Sequence, residues 1–264
     1  MIFQFVHMDF GASNLLNILK YSALNLRSAI NKDGGNHQIW LHYVRSLGRN
    51  PTYDITSIKM GRVFDKVEID NFQQDQRQVT QTPGWYQKCH LPYLAQALQS
   101  DEPMCYLQHS VNFHHVPKID TDGIYFWQND NKWYDIPWGF LNRGDAELFV
   151  DYCQSNNLLS DADIMSYPMY NANLLYIPQQ HIQEVKDKYE PMMEWILNYY
   201  ADQFNSLYCA CSIAGQLCLS LIVRDMLGPD QDIHRAEDEF GFPMCSRFSC
   251  EAEQDISGSL RLFF

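Results

Sequence analysis

The sequence predicts a single α/β domain. Its sheet is mixed but mostly parallel and flanked by helices, and its C-terminal part is helical. Three observations carry this. Apolar, strand-like runs alternate with amphipathic helical stretches through the first 110 residues, the pattern of right-handed βαβ units. A hydrophobic fraction of 46%, with 16 Tyr, 15 Phe and 6 Trp in 264 residues, supplies an ample core. Finally, the aromatic stretch Ile124 to Ile136, broken by Asn129-Asp-Asn, reads as a hairpin that would mix strand directions.

The elements follow in order. Ile2 to Val6 is an apolar run that fits a central strand. Ser13 is placed to cap a helix from Asn14 to about Asn31, with Leu15, Leu16, Leu19, Leu24 (or Ala23) and Leu26 inward; Lys32-Asp-Gly-Gly stops it. Gln38 to Val44 and Phe64 to Ile69 are the second and third strands. Asn71 to Thr82 is polar and Gln-rich and reads as a surface loop. Trp85 to Gln99 is an amphipathic helix carrying Leu91, Leu94 and Leu98, with Pro92 expected to kink it. Met104 to Phe113 is a strand interrupted by polar residues. Asp145 to Asn156 is a short helix, Asn173 to Ile177 a strand, and Gln180 to Phe204 a long helix. That helix presents Ile182, Val185, Tyr189, Met192, Met193, Ile196 and Tyr200 on one face, with a kink expected at Pro191. Ser212 to Leu227 is a more buried helix. Residues 1–227 thus form the domain, and 228–264 an irregular extension packed on it. There is no internal repeat.

Composition narrows the function. A net charge of −13 and a pI near 5.0 oppose general affinity for nucleic acid. The start, Met1-Ile-Phe-Gln-Phe-Val, lacks the basic region and cleavage site of a signal peptide. The longest apolar run, Cys209 to Leu227, is interrupted by Gly215, Gln216 and Arg224 and falls short of a membrane span. A cytoplasmic setting, of a cell or of an infected host, is the expectation. The eight cysteines fit free, reduced thiols; a zinc site from Cys209, Cys211, Cys245 and Cys250 has unusual spacing for that role.

Ligands of open α/β sheets bind beyond the carboxyl ends of the strands. Three polar strings fall at such places: His7-Met-Asp9, Gln108-His-Ser110, and the strand entry Tyr170-Asn-Ala-Asn173. Nearby, Lys88 sits on the helix before the strand Met104 to Phe113, where a cation favours a diphosphate; a helix start packed on the core through Trp85 is the alternative. Asn171 and Asn173 carry amides suited to sugar hydroxyls; an Asx turn starting the strand is the alternative. His109, His114 and His115 are potential hydrogen-bond donors or cations, or a solvated strand end. Trp127, Trp133, Tyr134 and Trp138 suit a sugar-stacking platform or a hydrophobic lobe. No dinucleotide fingerprint, Walker loop, nucleophile elbow or zincin motif occurs.

The order of these parts resembles GT-A fold nucleotide-sugar glycosyltransferases of the capsular-polysaccharide and glycogenin-like types. The likeness rests on the apolar first strand with its polar turn, the helix Trp85 to Leu98 and the strand Tyr106-Leu-Gln-His-Ser-Val111. Tyr170-Asn-Ala-Asn-Leu-Leu-Tyr-Ile-Pro178 and the long helix after it complete it, over residues 1 to 225. The resemblance implies transfer of a sugar from a nucleotide diphosphate sugar to a glycan, protein or modified-base acceptor. It places the nucleotide at His7, Asp9, Lys88, Gln108, His109 and Ser110, and the sugar at Asn171 and Asn173. The pattern departs at one point. Gln108 and Ser110 occupy the slot of the family's Asp-x-Asp, whose carboxylates hold Mn²⁺ or Mg²⁺, so the slot is degenerate. Either the chemistry is metal-independent or another pair serves, Asp120 and Asp122 being the best placed; a turn ending at Gly123 is the competing reading of those two. Two alternatives to a transferase remain: a catalytically inactive relative that binds a sugar or a protein, and a phage or viral protein with an unrelated α/β fold.

Overall fold

The computed structural model describes residues 1–9, 13–47, 63–73, 90–108, 111–113, 115–127, 143–160, 171–199, 214–227, 234–235 and 245–247. Among them the order is β1 (Ile2–Asp9), α1 (Ser13–Asp33), β2 (Gln38–Leu47), β3 (Lys66–Gln73), α2 (His90–Ala97), β4 (Met104–Leu107) and β5 (Val111–Phe113). Then come β6 (Tyr125–Trp127), α3 (Arg143–Ser155), β7 (Asn171–Tyr176), α4 (Gln179–Tyr199), α5 (Ala214–Leu227), β8 (His234–Arg235) and β9 (Cys245–Arg247). The main sheet has the order β3-β2-β1-β4-β7-β6-β8, and β5 pairs with β9 in a second, two-stranded sheet.

Strand β1 lies inside the sheet, next to its middle strand β4. It runs parallel to β2 on one side and to β4 on the other. Phe3 and Phe5 point to one face, where Leu19, Ala23, Leu26 and Ile30 of α1 pack with Leu41, Leu107 and Leu174. Ile2 and Val6 point to the other, against Tyr93 and Leu94 of α2 and the α4 and α5 layer. The period-two alternation of a strand covered on both faces accounts for the near-continuous apolar runs. In α1 it is Ala23 that is buried, whereas Leu24 is 42% exposed. A 100° step per residue gives the inward slot to one of the two, and it falls to Ala23.

Helix ends follow local chemistry. After α1, Gly34 takes φ of 75° and both Gly34 and Gly35 donate to the Ile30 carbonyl. After α3, Asn157 takes φ of 56°, with Leu158 N–H on the Cys153 carbonyl at 2.8 Å. Asn tolerates this left-handed position better than most residues. Pro92 falls in the first turn of α2, where an amide needs no intrahelical acceptor, and α4 remains helical through Pro191. The predicted inward face of α4 is buried from Ile182 to Ile196.

The mixed direction arises elsewhere than the sequence suggested. The antiparallel strand is β7, lying between β4 and β6. Strand β6 pairs with β7 and β8, and the Asn129 turn lies outside the described residues. The expected strand Met104 to Phe113 is two strands in two sheets, because the polar stretch after Leu107 takes the chain out of the main sheet. The C-terminal segment contributes β8 to the main sheet and β9 to the second. Cys105, Cys153 and Cys218 are buried free thiols, and burial raises the Cys153 thiol to about 12.

Two polar groups within the core generate predictions. Gln4 is fully buried and neither side-chain amide atom has a hydrogen-bond partner. Such a group carries an uncompensated desolvation cost of about 1–3 kcal/mol. Gln4→Met keeps the length and removes the polarity. It is expected to raise the melting temperature by about 2–4 °C per kcal/mol recovered; a lower melting temperature would refute the reading.

His90 is the second. It is 4% exposed, its Nδ1 lies 3.2 Å from the Tyr189 hydroxyl, and burial lowers its pKa to about 3. The folded value lies below the unfolded 6.5, so the folded state binds fewer protons in between. The stability this neutral ring permits is intact above pH 6.5 and is lost as pH falls toward 3, at up to about 1.4 kcal/mol per pH unit. His90→Phe should flatten the acid limb of a stability-versus-pH curve between pH 6 and 4. An unchanged limb would show that His90 does not set it.

Candidate ligand crevice

The chain lays down β1, β2 and β3 outward on one side, then returns to place β4 on the other side of β1. The sheet order therefore reverses between β1 and β4, and the carboxyl ends of strands at such a reversal are where open α/β sheets bind ligands. Strand β7 is antiparallel, so its first residues arrive at that same edge. This topology brings the described parts of the three polar strings, His7 to Asp9, Gln108, and Asn171 to Asn173, to one end of the sheet.

Asp9 ends β1 in register with Arg45 of β2, which in turn pairs with Asn71 of β3. Arg45 lies one residue past the predicted end of the second strand, so the sequence reading did not include it. His7 is only 4% exposed and stacks on Tyr43, with ring centroids 5.5 Å apart at 26°. It is thus a buried ring under the crevice edge. At the end of β4, the Gln108 N–H donates to the Asn173 carbonyl at 2.8 Å, and the Gln108 carbonyl accepts from Val111 N–H at 3.4 Å. The side chain of Gln108 is half-buried, and Asn173 is 2% exposed. Asn171 begins β7 in register with Trp127, and Gln216 of α5 accepts the Ala172 N–H through Oε1 at 2.9 Å. Gln216 was noted in the sequence only as an interruption of an apolar run; here it ties the buried helix to the strand entry. Lys88, His109, Ser110 and His114 lie outside the described residues, as do Trp133, Tyr134, Trp138, Cys209, Cys211 and Cys250.

Asp120 and Asp122 are placed differently. The Asp120 carbonyl accepts from Gly123 N–H at 3.2 Å, and its Oδ1 accepts from Asp122 N–H at 3.2 Å. The Asp120 N–H donates to the Tyr125 hydroxyl at 3.0 Å, and the Tyr176 hydroxyl donates to the Thr121 carbonyl at 3.1 Å. These bonds make an Asx-stabilised turn. Tyr176 pairs with both Cys105 and Tyr125, three residues along β7 from Asn173. At about 3.3 Å per residue that is roughly 10 Å of strand, and the turn lies at the amino-terminal edge of β4, away from the crevice. Burial, with Cys105, Asp122 and Asp120 adding to it, raises the Tyr176 hydroxyl to about 12. Among the described residues no three His, Cys, Asp or Glu side chains are grouped to hold a metal ion.

One further polar cluster lies on the helical face. His42 Nε2 is 2.8 Å from Asp70 Oδ2, and its Nδ1 is 2.7 Å from Gln96 Nε2. It joins β2, β3 and α2.

No family model matches the chain, and neither does any curated protein. Among solved structures, the chain is similar to mouse xyloside xylosyltransferase 1 in its apo form, at 9% identity and a TM-score of 0.40, over 96% of this chain and 99% of that one. It is also similar to a glycosyltransferase involved in glycosylating the major capsid of PBCV-1, at 11% identity and a TM-score of 0.39, over 97% and 99% of the two chains.

The edge on which the acids stand gives a prediction. Asp122→Asn should leave Mn²⁺ or Mg²⁺ affinity, and any ligand affinity at the crevice, within about twofold of the unaltered protein. A loss of divalent-ion binding approaching tenfold, about 1.4 kcal/mol, would return the pair to the site.

Proposed function

We propose that this protein is a glycosyltransferase that takes a sugar from a nucleotide diphosphate donor at the crevice between β1 and β4. One observation carries the reading: the polar ends of β1 and β4 and the entry of β7 meet at the reversal of strand order, where open α/β sheets bind nucleotides. The base lies toward Asp9 and the His7 edge, with Arg45 alongside. The diphosphate lies at Gln108 to Ser110, with Lys88 and the histidine His109 as further groups for it. The sugar lies toward Asn171 and Asn173, and the acceptor is a glycan, a protein or a modified base.

Catalysis at such a site is electrostatic. Bond cleavage between the sugar and the diphosphate builds charge on the leaving oxygen, and pre-aimed donors lower the barrier only if they bind that charge better than the ground state. Gln108 in the acid slot favours a reaction without a tightly held divalent ion. A divalent cation, where one is bound, would supply Lewis-acid stabilisation of the same oxygens. The same neutral slot supports a second reading, a catalytically inactive protein that keeps the sugar-binding crevice, in a phage or viral setting.

Thermal shift separates the readings from an unrelated fold. A nucleoside diphosphate sugar at about 100 times its dissociation constant stabilises the folded state by roughly 2.7 kcal/mol. The expected result is a rise in melting temperature with at least one of the UDP-, GDP-, ADP- or TDP-sugars, retained in EDTA. No rise with any of them at millimolar concentration would remove the transferase reading. A rise without donor hydrolysis or transfer to any acceptor would select the inactive binder.

A further inference from the structure

We infer that Gln216 of α5 is a positioning residue for the sugar end of the site: its side chain holds a bulge at the entry of β7 that sets where Asn171 and Asn173 stand. The inference rests on the donor reading above and deepens it at one subsite. The bulge is read from the register. Tyr125 and Phe126 of β6 face Tyr176 and Leu175 of β7 in regular antiparallel steps, but the next residue, Trp127, faces Asn171. One step along β6 thus spans four along β7, and Ala172, Asn173 and Leu174 have no counterpart on that side. On the other side β7 stays regular. Leu174 pairs with Leu107 of β4, and the Asn173 carbonyl accepts the Gln108 N–H at 2.8 Å.

A bulge leaves backbone groups without their ladder partners, and a buried N–H has to find another acceptor. Ala172 is 3% exposed, and its N–H donates to Gln216 Oε1 at 2.9 Å, across 44 positions of sequence. Gln216 is itself set in a rigid element. Leu217, Cys218, Leu219 and Ile222 of α5 are fully buried, and the Gln216 carbonyl accepts the Ser220 hydroxyl at 2.7 Å. Two glutamines therefore grip consecutive residues of the β7 entry: Gln108 of β4 takes Asn173, and Gln216 of α5 takes Ala172. Asn173 is 2% exposed, so its amide has little freedom to swing and the backbone beneath it decides its place. Bulges commonly serve to re-aim a side chain beside an active site. Without the Gln216 oxygen, the buried Ala172 amide would turn toward another acceptor, and the residues on either side would move with it. The nucleotide end would stay in place, because His7 and Asp9 belong to β1 and β7 pairs only with β4 and β6.

Calorimetric titration of the full chain with UDP-glucose, GDP-mannose, ADP-glucose and TDP-glucose, each beside its own nucleoside diphosphate, tests this. The quantity read is the ratio of the two dissociation constants, nucleotide sugar over nucleoside diphosphate. Gln216→Met keeps the length and loses the acceptor; Gln216→Asn keeps the amide and falls short by one methylene. Both are expected to raise the ratio at least tenfold, since displacements near 1 Å can cost more than that, with the diphosphate itself held within about twofold. Gln216→Glu restores an oxygen to the Ala172 N–H and should return the ratio to within about threefold of the unaltered protein. An unchanged ratio in both Gln216→Met and Gln216→Asn overturns the assignment and leaves the donor reading standing. Equal weakening of sugar nucleotide and diphosphate, or failure of both variants to fold, marks a structural role and overturns it too. A raised ratio that Gln216→Glu does not restore overturns action through Ala172. Unaltered protein that binds none of these nucleotides overturns the donor reading itself.

Discussion

The position of β1 between β2 and β4 is the constraint on which the rest depends. A parallel strand with neighbours on both sides and helices on both faces has no exposed side, so nearly every residue from Ile2 to Val6 must be apolar. That burial fixes the register of both neighbours, since a one-residue slip would exchange the two faces. The same arrangement sets the reversal of strand order between β1 and β4. Gln4 breaks the pattern at the middle of the strand, between Trp40 and Tyr106. Its amide is a stability cost at a fully buried point of the sheet, and no contact in the structure explains it.

Helix α1 performs two tasks through one set of residues. Leu19, Ala23, Leu26 and Ile30 cover the sheet. Ser22 and Asp33 hold the chain after β4 along the same helix, one at each end of the Val111 to Val116 stretch. The Val116 amide, with His115 assisting, holds the Asp33 carboxyl below its ordinary range even though desolvation opposes this. The strand that accepts β9 is thereby fixed to the same helix that follows the polar end of β1.

Most of the parallel half was legible in the sequence because its signals are local. Glycine after α1, the inward face of α4 and the apolar runs of β1 and β2 each depend on residues within one or two turns. The polar ends of β1 and β4 and the entry of β7 were legible for the same reason: a few polar residues beside fully apolar ones are conspicuous. What the sequence did not yield is long-range pairing. Strand β7 reads as an apolar run whichever way it points, and only its place between β4 and β6 makes it antiparallel. Strands β8 and β9 have two and three residues, too few to show any period. The Asp120-Thr-Asp122 string left a metal pair and a turn both open in the sequence; the Tyr125 and Tyr176 hydroxyls hold it as a turn toward the amino-terminal end of β4.

Electrostatics bears on the neutral residues at the end of β4. Two unit charges 4 Å apart interact by about 1 kcal/mol in water and about 4 kcal/mol at the effective dielectric near a protein surface. A diphosphate entering a chain of net charge −13 meets unfavourable long-range repulsion, which salt screens beyond about 8–10 Å. Within that radius, near groups decide. A carboxylate pair at Gln108 and Ser110 without its metal would repel such a ligand at the closest range, and the neutral side chains that stand there do not.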